Sequence, residues 1–129
     1  MTPETIPGTL TPVSLINQTV TANVTNLDGV DIRDYKGKLQ VVLTAGAATN
    51  DDQSAAVKLQ HSDEANANFV DFDPAVTFTS IAANGGAALE SIALDTRVAK
   101  RYVRAHVTAA SGDGRPVAVI GTGIKRVTS

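Results

Sequence analysis

Apolar and polar residues alternate along much of this chain with a period of two. Within Leu39–Ala45, the residues Leu39, Val41, Leu43 and Ala45 fall on one side and Gln40, Val42 and Thr44 on the other. Within Val57–Ser62, the residues Val57, Leu59 and His61 oppose Lys58, Gln60 and Ser62. Successive side chains of a strand point to opposite faces, so this alternation predicts two strands, each with one buried face. The stretch between them, Gly46–Ser54, is small and polar, and the two strands are expected to form a long antiparallel hairpin across it.

The same period recurs on either side. In Val13–Thr25, the residues Val20, Ala22 and Val24 alternate with Thr19, Thr21, Asn23 and Thr25. Asp28-Gly29 marks a turn. Val30 and Ile32 then share a face, and Tyr35 suits a sheet edge. Phe69–Phe72 reads as a short strand closed by Pro74, with Phe69 and Phe78 as the expected aromatic anchors of the core. Val76–Ile81 is a further strand, Ala82–Ala87 a turn, and Leu89–Leu94 a strand with apolar residues in both alternating sets. In Lys100–Ala109, Val103, Ala105 and Val107 oppose Tyr102, Arg104, His106 and Thr108. Ser111–Pro116 is a glycine-rich turn, and Val117–Ile124 is the last strand, where Gly121 and Gly123 mark a bulge or a close backbone approach. No window repeats apolar residues with helical spacing. About eight strands in an all-β chain predict a single-domain, two-sheet β-sandwich of jelly-roll or Greek-key type. Met1–Pro12, with Pro3, Pro7 and Pro12, reads as an extended N-terminal arm, residues 1–12, ahead of a sandwich domain 13–129.

Bulk properties narrow the function classes. At 129 residues the chain makes one domain. There is no cysteine, and a net charge of -2 gives no electrostatic reason to expect a nucleic acid or a membrane surface as partner. No run approaches the ~18 apolar residues of a membrane span. The opening residues lack the basic and apolar regions of a secretory signal, so synthesis in a cytoplasm is expected.

Candidate chemistry is sparse. The two histidines, His61 and His106, stand in no HxH or HExxH spacing. A zinc site needs three or four ligands from Cys, His or carboxylate. His61 beside Asp63 and Glu64 therefore reads as a histidine at a strand end next to a polar turn. Asp71 and Asp73 share a strand face but are followed by Pro74-Ala75, which lack further oxygen ligands for calcium. No serine sits in a GxSxG context, and Gly112–Gly114 has no phosphate-cradling form. The expectation is a protein that is not an enzyme and takes no cofactor. Lys100, Arg101 and Arg104 form the one basic cluster. In a flat strand Arg101 and Arg104 point to opposite faces. They read as strand-edge charges that block edge-to-edge pairing, or as ion-pair contacts to a neighbouring acidic subunit.

Taken in order, Val30–Gly37, Leu39–Leu43, Val57–Glu64 and Lys100–Ala105 resemble segments of small β-sandwich head proteins of tailed bacteriophages. The similarity covers roughly Ala22–Ile120. Where those sequences carry a glycine and an extra aromatic after a turn, Asn66–Phe69 stands here. The resemblance implies a virion protein that binds the outside of the capsid and stabilises it, a decoration or cement protein made in the bacterial host cytoplasm. Its partners would be the major capsid protein and copies of itself. A trimer would suit the local three-fold positions of an icosahedral shell. The family has no catalytic residues to transfer. Candidate subunit or capsid contacts are Thr2, Pro3, Ile6, Pro7 and Leu10 of the arm, with Arg101 and Arg104. The alternative is a tail- or fibre-associated sandwich that binds carbohydrate or another virion protein. A cupin-like metalloenzyme using His61 and His106 is a third reading.

Overall fold

An alternating strand can bury one face against any suitable sheet, and its hydrogen-bonding edges are generic. Where each strand lies is therefore decided by partners distant in sequence. The computed structural model describes residues 8–25, 27–47, 54–82, 86–109 and 114–126. Among them are eight strands: β1 (Gly8–Val20), β2 (Val30–Asp31), β3 (Tyr35–Ala45), β4 (Ala55–Ser62), β5 (Val70–Asp71), β6 (Ala88–Asp95), β7 (Tyr102–Ala109) and β8 (Arg115–Arg126). They form two antiparallel four-stranded sheets, ordered β1-β8-β3-β6 and β2-β7-β4-β5. Thus β1 pairs with β8, β2 with β7, β3 with β6 and β4 with β5. That nesting is an antiparallel ribbon rolled up on itself, the jelly-roll form of the two-sheet sandwich.

The nesting corrects one expectation. β3 and β4 are not a hairpin, because they lie in different sheets. β3 pairs with β6 and β8, while β4 pairs with β7 and β5. The connection between them crosses from sheet to sheet, and residues 48–53 of it lie outside the described residues. The burial pattern of both strands is as expected. Leu39, Val41, Leu43 and Ala45 face Val57, Leu59, Val103, Ala105 and Val107 across the core, joined by Val117 and Val119. Each fully buried Val or Leu contributes roughly 1.5–3 kcal/mol of transfer free energy.

Other expectations shift in detail. The first strand begins at Gly8 rather than Val13, so residues 8–12 of the expected arm belong to β1, and residues 1–7 lie outside the described residues. Gly8–Pro12 pairs residue by residue with Arg126–Thr122. Pro12 is tolerated because β1 is an edge strand, where a missing N–H can fall on the open side. A bulge between Ser14 and Ile16 turns both Leu15 and Ile16 into the core. β1 ends at Val20, so Ala22 is exposed and Val24 makes only an isolated bridge to Val107. Val76–Ile81 is not a continuous strand but an extended segment bridged to β4 at Thr77 and Ile81. The open register of β6 resolves with Ile92 and Leu94 inward. Phe72 and Phe78 are the buried phenylalanines; Phe69 is half-buried under Arg104. Tyr35 is not at an open edge. Its ring is buried, and its hydroxyl donates to Thr11 O at 3.3 Å. Gly121 and Gly123 make room for this inner layer: a Cβ at Gly121 would stand 2.7 Å from Leu39 Cδ2, and one at Gly123 3.2 Å from Tyr35 Cδ2.

Arg115 was expected in a turn. Instead it opens β8 opposite Val20 and is fully buried. Its Nη1 donates to Gly46 O at 2.9 Å and to Gly86 O at 3.1 Å, and its Nη2 to Ala82 O at 3.3 Å. A guanidinium presents a planar fork of donors, so one side chain can satisfy carbonyls from separate segments. Replacing it by methionine keeps the bulk but leaves those carbonyls without the donor. Arg115→Met is expected to lower the unfolding free energy by about 3 kcal/mol, measured by urea denaturation. A loss below about 1 kcal/mol would show that the clamp contributes little.

Candidate functional site

The two outer faces of the sandwich differ in chemistry. On the sheet β2-β7-β4-β5, the outward residues form a connected polar ladder. Arg104 lies opposite Gln60, and Gln60 opposite Asp71, so the three sit in one row across β7, β4 and β5. Arg104 Nε donates to Gln60 Oε1 at 2.9 Å, and Gln60 Nε2 donates to Asp71 Oδ1 at 2.9 Å. Lys58 Nζ donates to Asp71 Oδ2 at 3.0 Å. Arg104 also donates to Leu27 O at 3.3 Å and lies 4.2 Å over the Phe69 ring. Phe69 in turn presses on Gly29, where a Cβ would come 2.6 Å from its Cζ. The Gln60 and Lys58 hydrogen bonds hold the Asp71 carboxyl below its usual range.

The residues singled out from sequence fall as follows. Arg101 precedes β7 and binds Asp31 through Nε at 3.1 Å and Nη2 at 2.9 Å, with its guanidinium 5.0 Å over Tyr102. That pairing lowers the Asp31 pKa. Arg101 and Arg104 are therefore both engaged within the chain and do not share a site. Leu10 is placed by its backbone opposite Ile124; Thr2, Pro3, Ile6 and Pro7 lie outside the described residues. Asp71 belongs to the ladder, and Asp73 stands beyond the strand end.

The two histidines lie on opposite faces of one sheet. His106 is outward, opposite Lys58, and His61 is inward, opposite Val103. A single site holding both imidazoles is excluded by this geometry. Among the described residues no three His, Cys, Asp or Glu side chains gather as metal ligands. His61 is a buried histidine, 8% exposed, stacked on Phe72 at 3.9 Å between ring centroids. Its Nδ1 accepts from Lys100 N at 3.1 Å, so the neutral ring carries its proton on Nε2.

The outer face of the other sheet was not foreseen. Its registers stack three rows across β1, β8, β3 and β6. One row is Asn17, Ala118, Thr44 and Leu89; the next is Ser14, Ile120, Val42 and Ser91; the third is Pro12, Thr122, Gln40 and Ala93. None of these residues is charged. Gln40 Nε2 donates to Ser91 Oγ at 2.8 Å within this surface. Apolar side chains stand open on it and at its end: Leu89 is 76%, Ile120 41% and Ile124 39% exposed. One signal for it was legible: no charge occurs from Pro116 to Ile124. Its neighbours β1 and β3 could not be assigned without the topology.

Burial lowers the pKa of both His61 and His106 below 6.5, helped by Lys100 at the first and by Lys58 and Arg104 at the second. The unfolded chain therefore binds more protons in the window between the folded values and 6.5. Their contribution to stability is present above that window and is lost as the pH falls through it. The melting temperature is expected to drop between about pH 7 and pH 5, before carboxylates near pKa 4 titrate. His61→Phe, which keeps an aromatic ring against Phe72, is expected to flatten part of that drop in thermal melts across the range.

Set against known proteins, the chain matches no protein-family model, and no curated protein matches it.

Proposed function

We propose that this chain is a structural virion protein that binds the outside of a bacteriophage capsid and stabilises it, as a decoration or cement protein. The observation that carries the reading is the block of three uncharged rows on the outer face of β1-β8-β3-β6, with Leu89 and Ile120 open on it and Ile124 at its end, opposite Lys36. Uncharged rows of a sheet can lie against another protein without desolvating ions, and exposed apolar patches of this kind mark interaction surfaces. The order of the Val30–Gly37, Leu39–Leu43, Val57–Glu64 and Lys100–Ala105 segments supports the bacteriophage head as the setting. The major capsid protein is the proposed partner, and a homo-oligomer, a trimer at local three-fold positions, the proposed state.

The alternative, a carbohydrate-binding tail or fibre module, has less support. Sugar sites use open aromatic platforms. Of the three phenylalanines and two tyrosines, Phe72, Phe78 and Tyr35 are buried, Phe69 is under Arg104, and Tyr102 is under Arg101.

Purified protein is expected to cosediment with capsids stripped of it. Ile120→Glu is expected to weaken that attachment about tenfold or more, with a stability cost under about 1 kcal/mol because the side chain is outward. Thr108→Glu, on the opposite sheet face, is expected to leave attachment unchanged. Failure of the unmodified protein to attach would overturn the proposal, and specific hits on a glycan array would favour the alternative.

A further inference from the structure

At one end of the sandwich, between the sheets, a cleft of about 380 Å³ opens beside β5 and the end of β6. It is lined by His61, Phe72, Pro74, Val76, Leu94 and Val98. That size lies within the range of roughly 300–1,000 Å³ seen for ligand-holding cavities. Val98, on the short 3-10 turn Thr96–Val98, is 65% exposed at this place, an apolar side chain with water around it.

One hydrogen-bond donor serves this apolar lining. His61 is held by stacking on Phe72 and by the Lys100 N–H on its Nδ1. Its Nε2–H has no hydrogen-bond partner among the described residues and is not fully buried, and His61 lines the cleft. An apolar ligand that fits must carry an acceptor for it.

The rim decides the charge. Three aspartates line the cleft: Asp71, Asp73 and Asp95. Asp71 is engaged by Lys58 and Gln60. Asp95 is engaged by the backbone N–H and guanidinium of Arg97 at 2.9 to 3.1 Å, which holds its pKa at about 2. Asp73 makes no ion pair among the described residues and is exposed. Asp73 is thus the lining carboxylate that makes no ion pair among the described residues and the place where a cationic group would sit, with Lys100 the nearby cation acting on His61.

We infer that the cleft is a binding site for a basic–apolar polypeptide segment, which places an aliphatic side chain against Phe72, Leu94 and Val98, lends a main-chain carbonyl to His61 Nε2–H, and sets a flanking Lys or Arg beside Asp73. This site adjoins the uncharged sheet face, with which it shares Ala93, and does not depend on the capsid reading.

The probe is the capped tripeptide acetyl-Arg-Leu-Arg-amide, titrated into the full chain and followed by two-dimensional NMR, with acetyl-Glu-Leu-Glu-amide as its counterpart. The basic peptide is expected to bind in the millimolar range and to shift resonances of His61, Phe72, Leu94 and Val98, with the acidic peptide leaving them in place. His61→Phe is expected to weaken binding about two- to tenfold by removing the donor. Asp73→Lys is expected to weaken it about three- to fivefold. Val98→Asn, at an exposed position that leaves the core intact, is expected to abolish the shifts. No localised shift at about 10 mM basic peptide, or equal shifts from both peptides, would overturn the inference.

Discussion

A jelly roll sends almost every connection from one sheet to the other, and the carbonyls at those crossings have no strand beside them. Arg115 meets this constraint at one end of the sandwich. Its buried guanidinium donates to Gly46, which follows β3, and to Ala82 and Gly86, on either side of the connection entering β6. One side chain at the start of β8 thereby ties together the ends of segments that are otherwise joined only through strand pairing. Burying such a charge is costly unless its donors are satisfied. Here Nη1 and Nη2 are engaged while Nε is buried and makes no hydrogen bond among the described residues, so a local cost is tied to the closure of the whole ribbon.

With the ribbon closed, its two outer faces are free to differ. The β2-β7-β4-β5 face joins Arg104, Gln60, Asp71 and Lys58 through charge-assisted hydrogen bonds, so its polar groups largely serve one another. The β1-β8-β3-β6 face carries three rows of polar uncharged and aliphatic residues without a charge, bounded at one end by Lys36, Lys38 and Asp95. The first face is internally occupied. The second can meet another surface at low desolvation cost. This asymmetry underlies the proposed role as a surface-binding virion component.

Parts of both faces were legible in advance. Alternation in Lys100–Ala109 correctly put Arg104, His106 and Thr108 outside and Val103, Ala105 and Val107 inside. It could not show that Arg104 bonds to Gln60, which is 44 residues away. The reading of His61 as a strand-end histidine agrees with its position near the end of β4, but its burial on Phe72 depends on a partner strand that alternation does not name. Phe69 and Phe72 exchanged expected roles for a similar reason. Both are aromatic and three residues apart, and only the lie of β5 against β4 shows that Phe72 turns inward.

By itself the sequence determined the all-β class, the number of strands and, for the regular ones, which side chains face the core. Those properties follow from local periodicity, since each strand's two faces are set by its own side chains. Tertiary structure decided which strands pair, that β3 and β4 lie in opposite sheets, and that Pro12 sits in an edge strand rather than an arm. Backbone hydrogen bonds are chemically alike in every strand, so pairing is selected by the packing of the whole ribbon. It also decided the place of Arg115, whose carbonyl partners lie 69, 33 and 29 residues away. A charged residue in a glycine-rich stretch gives no local sign of burial, because the groups that make burial tolerable come together only when the fold is complete.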